Sequence, residues 1–338
     1  MSVSEKLFGT FEGKPVKQFT LTSDAGVEVD IIEYGAAVRD WRVPVGGGKR
    51  SVTLGFDTLD DYVAHSPYFG AIAGPVANRI GGASFEIAGK RYELPANEGT
   101  SSLHSGPEGL SKQVWTGKAD SAANAVTLSF NQPDGLGGFP GNVAYKVTYS
   151  LSGKKLRLVF GATSDAVTPI SLVQHLYFNL SSTDETILDH RYKIVASAFT
   201  ELNDSLVPNG NIIEVTPGGD RDLRKPRTLR RADGSPIDYD GNYVLDAGRD
   251  LSQPVVEVTA PDGSLSLKLW TDRPGVQFYD GVMTDVPVPG IGGRKYPKHS
   301  GFCIEDQAFP DAVHHPHFPN VWHGPQRPYS HWCEIEVS

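Results

Sequence analysis

Cysteine is nearly absent: among 338 residues only Cys303 and Cys333 carry a thiol. The chain lacks the material for the disulfide frameworks of small secreted domains. Both cysteines fall in apolar, strand-like patterns, which predicts reduced thiols in a core. Long apolar runs are also missing. No window of 18 apolar residues exists, and the opening MSVSEKLFGT has no basic stretch followed by an apolar one. Neither a membrane-spanning helix nor a secretory leader is expected, and a soluble, cytoplasmic chain is the default. Positive charge is scarce as well. With 31 Lys and Arg against 40 Asp and Glu the net charge is −9, and the longest basic stretch is RKPRTLRR at 224–231. That is the wrong sign for a nucleic-acid partner. No Gly-x-Ser-x-Gly elbow, His-Glu-x-x-His, Cys-x-x-Cys or phosphate-loop sequence occurs, which removes the usual signals for a serine hydrolase, a zincin and a nucleotide enzyme.

Turn residues are abundant instead, with 37 glycines and 24 prolines, and 15 Phe, 13 Tyr and 5 Trp are ample for a large core. Strand-length segments with period-two alternation or β-rich apolar composition recur at 27–32, 51–56, 83–87, 125–130, 143–151, 155–162, 169–180, 191–199, 254–260, 264–270, 275–281, 301–309 and 331–338. No stretch sustains a 3.6-residue period. The pattern predicts an all-β protein, a large antiparallel sandwich or barrel with few short helices. Length alone suggests roughly two domains or one oversized β domain, and no repeat or low-complexity linker divides the chain.

Histidine and carboxylate remain for chemistry, the groups suited to acid–base work near neutral pH. Read as a strand, PISLVQHLYFNL puts His175, Tyr177 and Asn179 on one face with Val173, and Leu172, Gln174, Leu176 and Phe178 on the other. The plainer reading makes His175 a core histidine satisfied by a carbonyl. In GFCIEDQAF, Cys303, Glu305 and Gln307 share a face while Ile304 and Asp306 point the other way. A carboxylate among Phe302, Cys303, Ile304 and Phe309 is expected to be desolvated, which raises its proton affinity. A solvent-facing Glu on an edge strand is the alternative. Arg79 in NRI offers a fork of donors suited to vicinal hydroxyls, and His104 sits in the Gly/Ser/Thr-rich loop NEGTSSLHSG. Taken singly, a surface arginine and a turn-capping histidine explain them. The cluster HHPHF at 314–318 lies in a proline-interrupted loop without metal-ligand spacing, which argues against a metal.

These segments, in this order, resemble the aldose 1-epimerase (galactose mutarotase) family over essentially the whole chain. ANRIGGASFEIAGKRYELPANEG with the following LHSG is similar to the family's NRI and LHGG block. TPISLVQHLYFNL is similar to NHSYFNL, NDSLVPNGNIIEV to the LIPTG stretch, and DYDGNYVL to YDHNFVL. DRPGVQFYDG matches QPGVQFYTGN, and CIEDQAFPDAVHHPHFP the LETQ and FPDA signature. The resemblance implies a single domain over 1–338 with a β-supersandwich fold, and interconversion of the α and β anomers of a free aldose sugar such as glucose or galactose without metal or cofactor.

Carried over position by position, the resemblance makes Glu305 the base that takes the proton from the anomeric O1. His175 becomes the acid that protonates the ring O5. His104 is placed near O5, and Asn78, Arg79, Asp240 and Gln277 hold hydroxyls. Tyr177, Phe278, Tyr279 and Phe309 suit the apolar faces of a pyranose, although core packing is the readier explanation for them. An ionised carboxylate and a protonated imidazole would together supply both proton transfers. The departures are Gln174 for the usual Asn, TSSLHSG for NHLHGG, Gly241 for the usual His, and Arg327 for a Glu near the C-terminus. They bear on which sugar is preferred more than on activity. An enzyme for a phosphorylated or unusual sugar would need basic residues at the mouth, for which Arg294, Lys295 and Arg327 are the candidates. A non-catalytic carbohydrate-binding protein on the same fold would have lost the acid or the base. The motifs leave the preferred sugar and the oligomeric state open.

Overall fold

A computed structural model describes residues 1–181 and 186–338. Period-two patterning becomes antiparallel sheet throughout. Along Val143–Ser152 and Lys155–Ser164 buried and outward residues alternate, so that Tyr145, Val147, Tyr149, Leu156, Leu158 and Phe160 enter the core. These strands sit in an eight-stranded sheet ordered Thr116–Asp120, Ala125–Gln132, Val143–Ser152, Lys155–Ser164, Tyr329–Val337, Ser266–Thr271, Val256–Thr259 and Arg191–Ile194. A five-stranded meander, Ser2–Phe11, Lys14–Thr22, Glu28–Ile32, Val38–Val45 and Gly48–Ser51, supplies a second sheet. Phe19, Val29, Ile31 and Trp41 from the meander join the large sheet's inner side chains in one apolar cluster, a sandwich core. Tyr149 ties the two layers by donating its hydroxyl to the Ala36 carbonyl at 2.6 Å.

A further five-stranded sheet, ordered Pro208–Glu214, Ala196–Leu202, Asp240–Leu245, Gly275–Tyr279 and Cys303–Gln307, carries Asp240, Gln277 and Glu305. Its last two strands are buried at every position. Val276, Phe278 and Ile304 face the common core, so the polar Gln277, Glu305 and Gln307 of opposite parity are enclosed on the other side. Among the described residues there is one α-helix, Leu59–His65, whose first turn is capped by Thr58 accepting from the Asp61 N–H at 3.2 Å. No helix among those residues is long and apolar enough to cross a membrane. Both cysteines are free and buried, as the sequence predicts.

Three expected strands differ. Over 51–56 only Ser51 belongs to a strand, with a lone bridge from Thr53 to Phe178. The 169–180 segment forms only the short pieces Thr168–Pro169 and Val173–Gln174. It remains extended but changes partner every one or two residues: His175 N–H donates to Ala71, Tyr177 accepts from Leu54, and Phe178 exchanges two bonds with Phe302. A segment threaded between layers has no single neighbour with which to build a ladder, although its backbone groups still must be satisfied. The 191–199 stretch breaks at Val195 into Arg191–Ile194 and Ala196–Leu202, which belong to different sheets.

Tyr149→Phe removes one buried bond between the layers and leaves the Ala36 carbonyl without that donor. A loss of about 1–2 kcal/mol is expected in denaturant unfolding, with the unfolding slope unchanged.

Candidate active site

The cleft is assembled by backbone geometry before any side chain enters it. Arg79–Ile80 pairs with Ser102–Leu103, and immediately beyond that bridge Asn78 and His104 clasp each other. His104 N–H donates to the Asn78 carbonyl at 2.9 Å, and Asn78 N–H donates to His104 Nδ1 at 3.2 Å. Nδ1 is thereby an acceptor, which leaves the ring proton on Nε2. Asn78, His104 and Tyr68 all adopt left-handed backbone, with φ of 61°, 50° and 72°. Three non-glycine residues in that region, all lining one cleft, mark strain held by surrounding bonds.

From the sheet side, Gln277 and Glu305 stand directly opposite each other across neighbouring strands, and Asp240 is paired with Tyr279 one strand further on. Gln277 donates to Asp240 Oδ1 at 2.6 Å. Arg79, almost fully buried, forks onto both oxygens of Glu98 and lies 3.5 Å from Asp240 Oδ2. These groups line one cleft with Pro67, Leu103, Tyr177, Met283 and Thr284.

His175 stands between Tyr68 and Tyr177, whose rings stack on it at 5.6 and 5.0 Å with interplanar angles of 21° and 15°. Cys303 Sγ lies 3.6 Å from its Nδ1, and Nε2 faces Glu305 Oε1 at 3.7 Å. The other carboxylate oxygen of Glu305 is buried without a hydrogen-bond partner. Gln174 braces this pair from behind: its amide donates to the Ile304 carbonyl at 2.7 Å and accepts from Leu176 N–H at 3.2 Å. The parity reading is correct here, since Gln174 supports the cleft wall without entering it.

Burial pushes the Glu305 carboxyl well above the ordinary carboxylate range, and Asp240 and Asp306 add to this while Arg79 opposes it. Burial lowers His175 to about 4, and burial with neighbouring His175 and Arg79 lowers His104 well below its ordinary value. Desolvation of Glu305 agrees with the sequence reading. In the cleft burial favours a neutral carboxyl and a neutral imidazole over the ion pair, because neither charge is solvated there. The pair therefore shares one proton, most stably held on the carboxyl.

Every residue carried over from the resemblance lines this cleft: Asn78, Arg79, His104, His175, Tyr177, Asp240, Gln277 and Glu305. Tyr279 also lines it, whereas Phe278 belongs to the core and Phe309 to a small separate cluster. Arg79 and His104, plausible as surface residues, are both buried. Sequence reasoning missed Tyr68 and Glu98. Glu98 lay in the NEG segment already singled out; Tyr68 has only its place between Pro67 and Gly70 to recommend it. Arg294, Lys295 and Arg327 do not line the cleft. Arg294 donates to the Ser51 and Thr53 carbonyls, and Arg327 to those of Asn320 and Trp322. The imidazoles of the 314–318 loop have local partners: His314 meets Asp311 at 2.7 Å, while His315 and His317 meet the Pro208 and Gly210 carbonyls at 3.1 and 2.7 Å. Donor atoms of His104, His175 and Glu305 lie within 4.8 Å of one another, as do those of Asp238, Asp280 and His299. Among the described residues these are the groupings able to hold a cation.

A sequence profile described as Aldose 1-epimerase matches residues 17–336. Galactose mutarotase from Homo sapiens is 38% identical over 345 residues, covering 100% of this chain and 99% of the relative. Aldose 1-epimerase from Escherichia coli K12 is 28% identical over 320 residues, covering 91% and 90%. Among solved structures, a GalM/aldose epimerase homologue from C. elegans superposes with a TM-score of 0.88 at 26% identity, covering 94% of this chain and 98% of that one. The galactose 1-epimerase of Lactobacillus acidophilus NCFM shares the fold, with a TM-score of 0.84, 22% identity and coverage of 99% and 98%.

The unpartnered buried carboxyl of Glu305 has a stability signature. Its raised folded-state pKa contributes stability that is present below the unfolded value near 4.5 and is lost as pH rises through the folded value. Glu305→Gln cannot ionise and escapes that loss. The variant is expected to be more stable than the parent at pH 8 by more than about 1 kcal/mol in thermal unfolding, with the gap closing towards pH 4. Equal stability at pH 8 would refute the burial argument.

Proposed function

The chain belongs to the aldose 1-epimerase family, and from that premise we propose that it is a mutarotase whose acid–base pair is Glu305 and His175. It interconverts the α and β anomers of a free aldose such as glucose or galactose. One observation carries the assignment of roles: His175 Nε2 and Glu305 Oε1 face each other at 3.7 Å on the wall of a cleft otherwise furnished with hydroxyl-binding groups. We read the whole chain, 1–338, as one domain serving that cleft.

Opening a hemiacetal requires one proton removed and one delivered. Glu305 takes the proton from O1 as the C1–O5 bond breaks and C1=O forms, while His175 delivers a proton to O5. Rotation about C1–C2 presents the other face of the aldehyde, and O5 re-adds with the same two groups in reversed roles. The net reaction moves no atom between sugar and protein, so no cofactor is required for balance. The pair must enter the reaction with its shared proton on the imidazole. A sugar O1–H donating to Glu305 favours the carboxylate, which moves the proton towards His175 as substrate binds. Positioned transfer of this kind is worth roughly 10²–10⁴-fold for each proton. His104, with its proton on Nε2, is placed to donate near O5. Asn78, Arg79, Asp240 and Gln277 hold hydroxyls, and Tyr177 offers a ring face.

A phosphorylated substrate finds little support. Among the described residues, Glu98, Asp240 and Glu305 line the cleft against the single cation Arg79, which is already forked onto Glu98. A non-catalytic binding role is equally unsupported, because acid and base are both present and face each other.

Polarimetry of freshly dissolved α-glucose or α-galactose is expected to show accelerated approach to equilibrium, with Glu305→Gln and His175→Ala each lowering the rate by at least about 100-fold. Near-parental activity in both variants would remove the assigned roles. The pair works only with one proton between its members, so kcat/KM should be bell-shaped. Because burial lowers His175 to about 4, the acid limb should fall near pH 4. An acid limb near 6.5 would contradict the buried imidazole.

A further inference from the structure

The strand that presents Glu305 to the cleft presents the next residue, Asp306, to the opposite side, where it is completely buried. Asp306 Oδ2 accepts from Thr271 Oγ1 at 2.7 Å and faces His331 Nε2 at 3.3 Å. The His331 ring, also completely buried, is held flat against Phe160 with centroids 3.9 Å apart and planes 18° apart. On its far edge Nδ1 meets the Tyr329 hydroxyl at 2.6 Å, and that oxygen lies 3.1 Å from the Leu172 N–H. Leu172 begins the stretch Leu172–Val173–Gln174 that leads into His175. A line of side-chain contacts thus runs from the Glu305 strand to the segment carrying His175, its Asp306–His331 step being a close approach outside hydrogen-bond geometry.

The line has a direction. The Asp306 carboxyl beside Nε2 suits the His331 tautomer with its proton on Nε2, which leaves Nδ1 as acceptor. Tyr329 must then donate to Nδ1, and its lone pairs are free to accept from Leu172 N–H. With the opposite tautomer Tyr329 would accept from His331 and turn its proton towards the Leu172 carbonyl, 3.5 Å away. The phenolic oxygen keeps a lone pair for the Leu172 N–H in either tautomer, so the tautomer decides only where the Tyr329 proton points while the hydroxyl itself ties His331 to the His175 segment. We propose that Asp306, His331 and Tyr329 form a positioning relay that holds the His175 segment in register with the Glu305 strand. None of the three lines the cleft. Their effect passes through the separation of acid and base, and a displacement of about 1 Å in such a pair costs up to roughly 100-fold in rate.

This inference rests on the reading of His175 and Glu305 as the reacting pair, which the Glu305→Gln and His175→Ala variants test separately. Tyr329→Phe, Asp306→Asn and the double variant are compared by polarimetry on glucose and galactose, with circular dichroism and thermal unfolding alongside. Each single variant is expected to lower kcat about tenfold while KM changes by less than twofold, because hydroxyl-binding groups are untouched. The double variant should lose no more than the weaker single one, since a relay broken once is already broken. Losses that multiply, a rise in KM with kcat intact, or parental kcat in a folded variant would each overturn the relay. If Asp306→Asn does not fold, Tyr329→Phe removes one oxygen and decides alone: folded protein with parental kcat overturns the proposal, and a tenfold loss at constant KM sustains it.

Discussion

The structure turns on a carboxyl held out of water without a cation of its own. Glu305 faces an imidazole at 3.7 Å, and the guanidinium in the same cleft, Arg79, is already engaged by Glu98 and Asp240. An isolated buried carboxylate is costly enough that such a group ordinarily takes up a proton. The fold accepts that cost because strand Cys303–Gln307 lies at the edge of its sheet yet is covered on both faces, by the core on one side and by the Tyr68, Asn78 and His104 loops on the other. A layered sandwich with a contiguous core supplies the stability against which one strained site can be set.

Strain in the loops belongs to the same arrangement. Tyr68, Asn78 and His104 keep left-handed backbones because neighbouring bonds over-determine them; the reciprocal Asn78–His104 clasp adjoins the short Arg79–Leu103 ladder. Those loops also fix tautomers. Asn78 N–H commits His104 to a proton on Nε2, while the stacked rings of Tyr68 and Tyr177 confine the His175 plane. A cleft with few rotatable parts loses little when a sugar enters, and the acid–base distance is set before binding.

Strands with one wet face were legible in the sequence because alternation survives there: 143–151, 155–162 and 331–338 are strands within a residue or two of their expected limits. The meander over residues 2–22 escaped notice, since its first strand is exposed at most positions and shows little apolar signal. The 169–180 segment misled in the other direction. Its alternating, β-rich composition reads as a strand, but it exchanges partners as it passes between layers, and no pattern of side chains encodes that. Parity proved more durable than secondary structure. His175 and Tyr177 face the cleft and Leu172, Leu176 and Phe178 the core although no continuous ladder joins them, because any extended chain alternates its side chains. The cleft residues could be collected only through the resemblance, since Asn78, His104, His175, Asp240 and Glu305 lie far apart in the chain. Residue type alone names an acid–base pair, and only the completeness of burial says where its proton rests.

Adjacent carboxylates on one strand illustrate how little separates a reactive group from a structural one. Glu305 and Asp306 are both fully enclosed and differ in position by a single residue. Parity sends Asp306 towards Thr271 and His331, which supply a hydroxyl donor and an imidazole. The same parity sends Glu305 into a cleft whose donors are committed elsewhere. A one-residue slip of this strand would exchange the two environments, placing Asp306 where a base is needed and Glu305 in the core. Ladder bonds to Gly275–Tyr279, the Gln174 amide on the Ile304 carbonyl and the Asp306 contacts all oppose that slip from different sides. Register, more than the identity of any one residue, is therefore what makes Glu305 available for proton transfer.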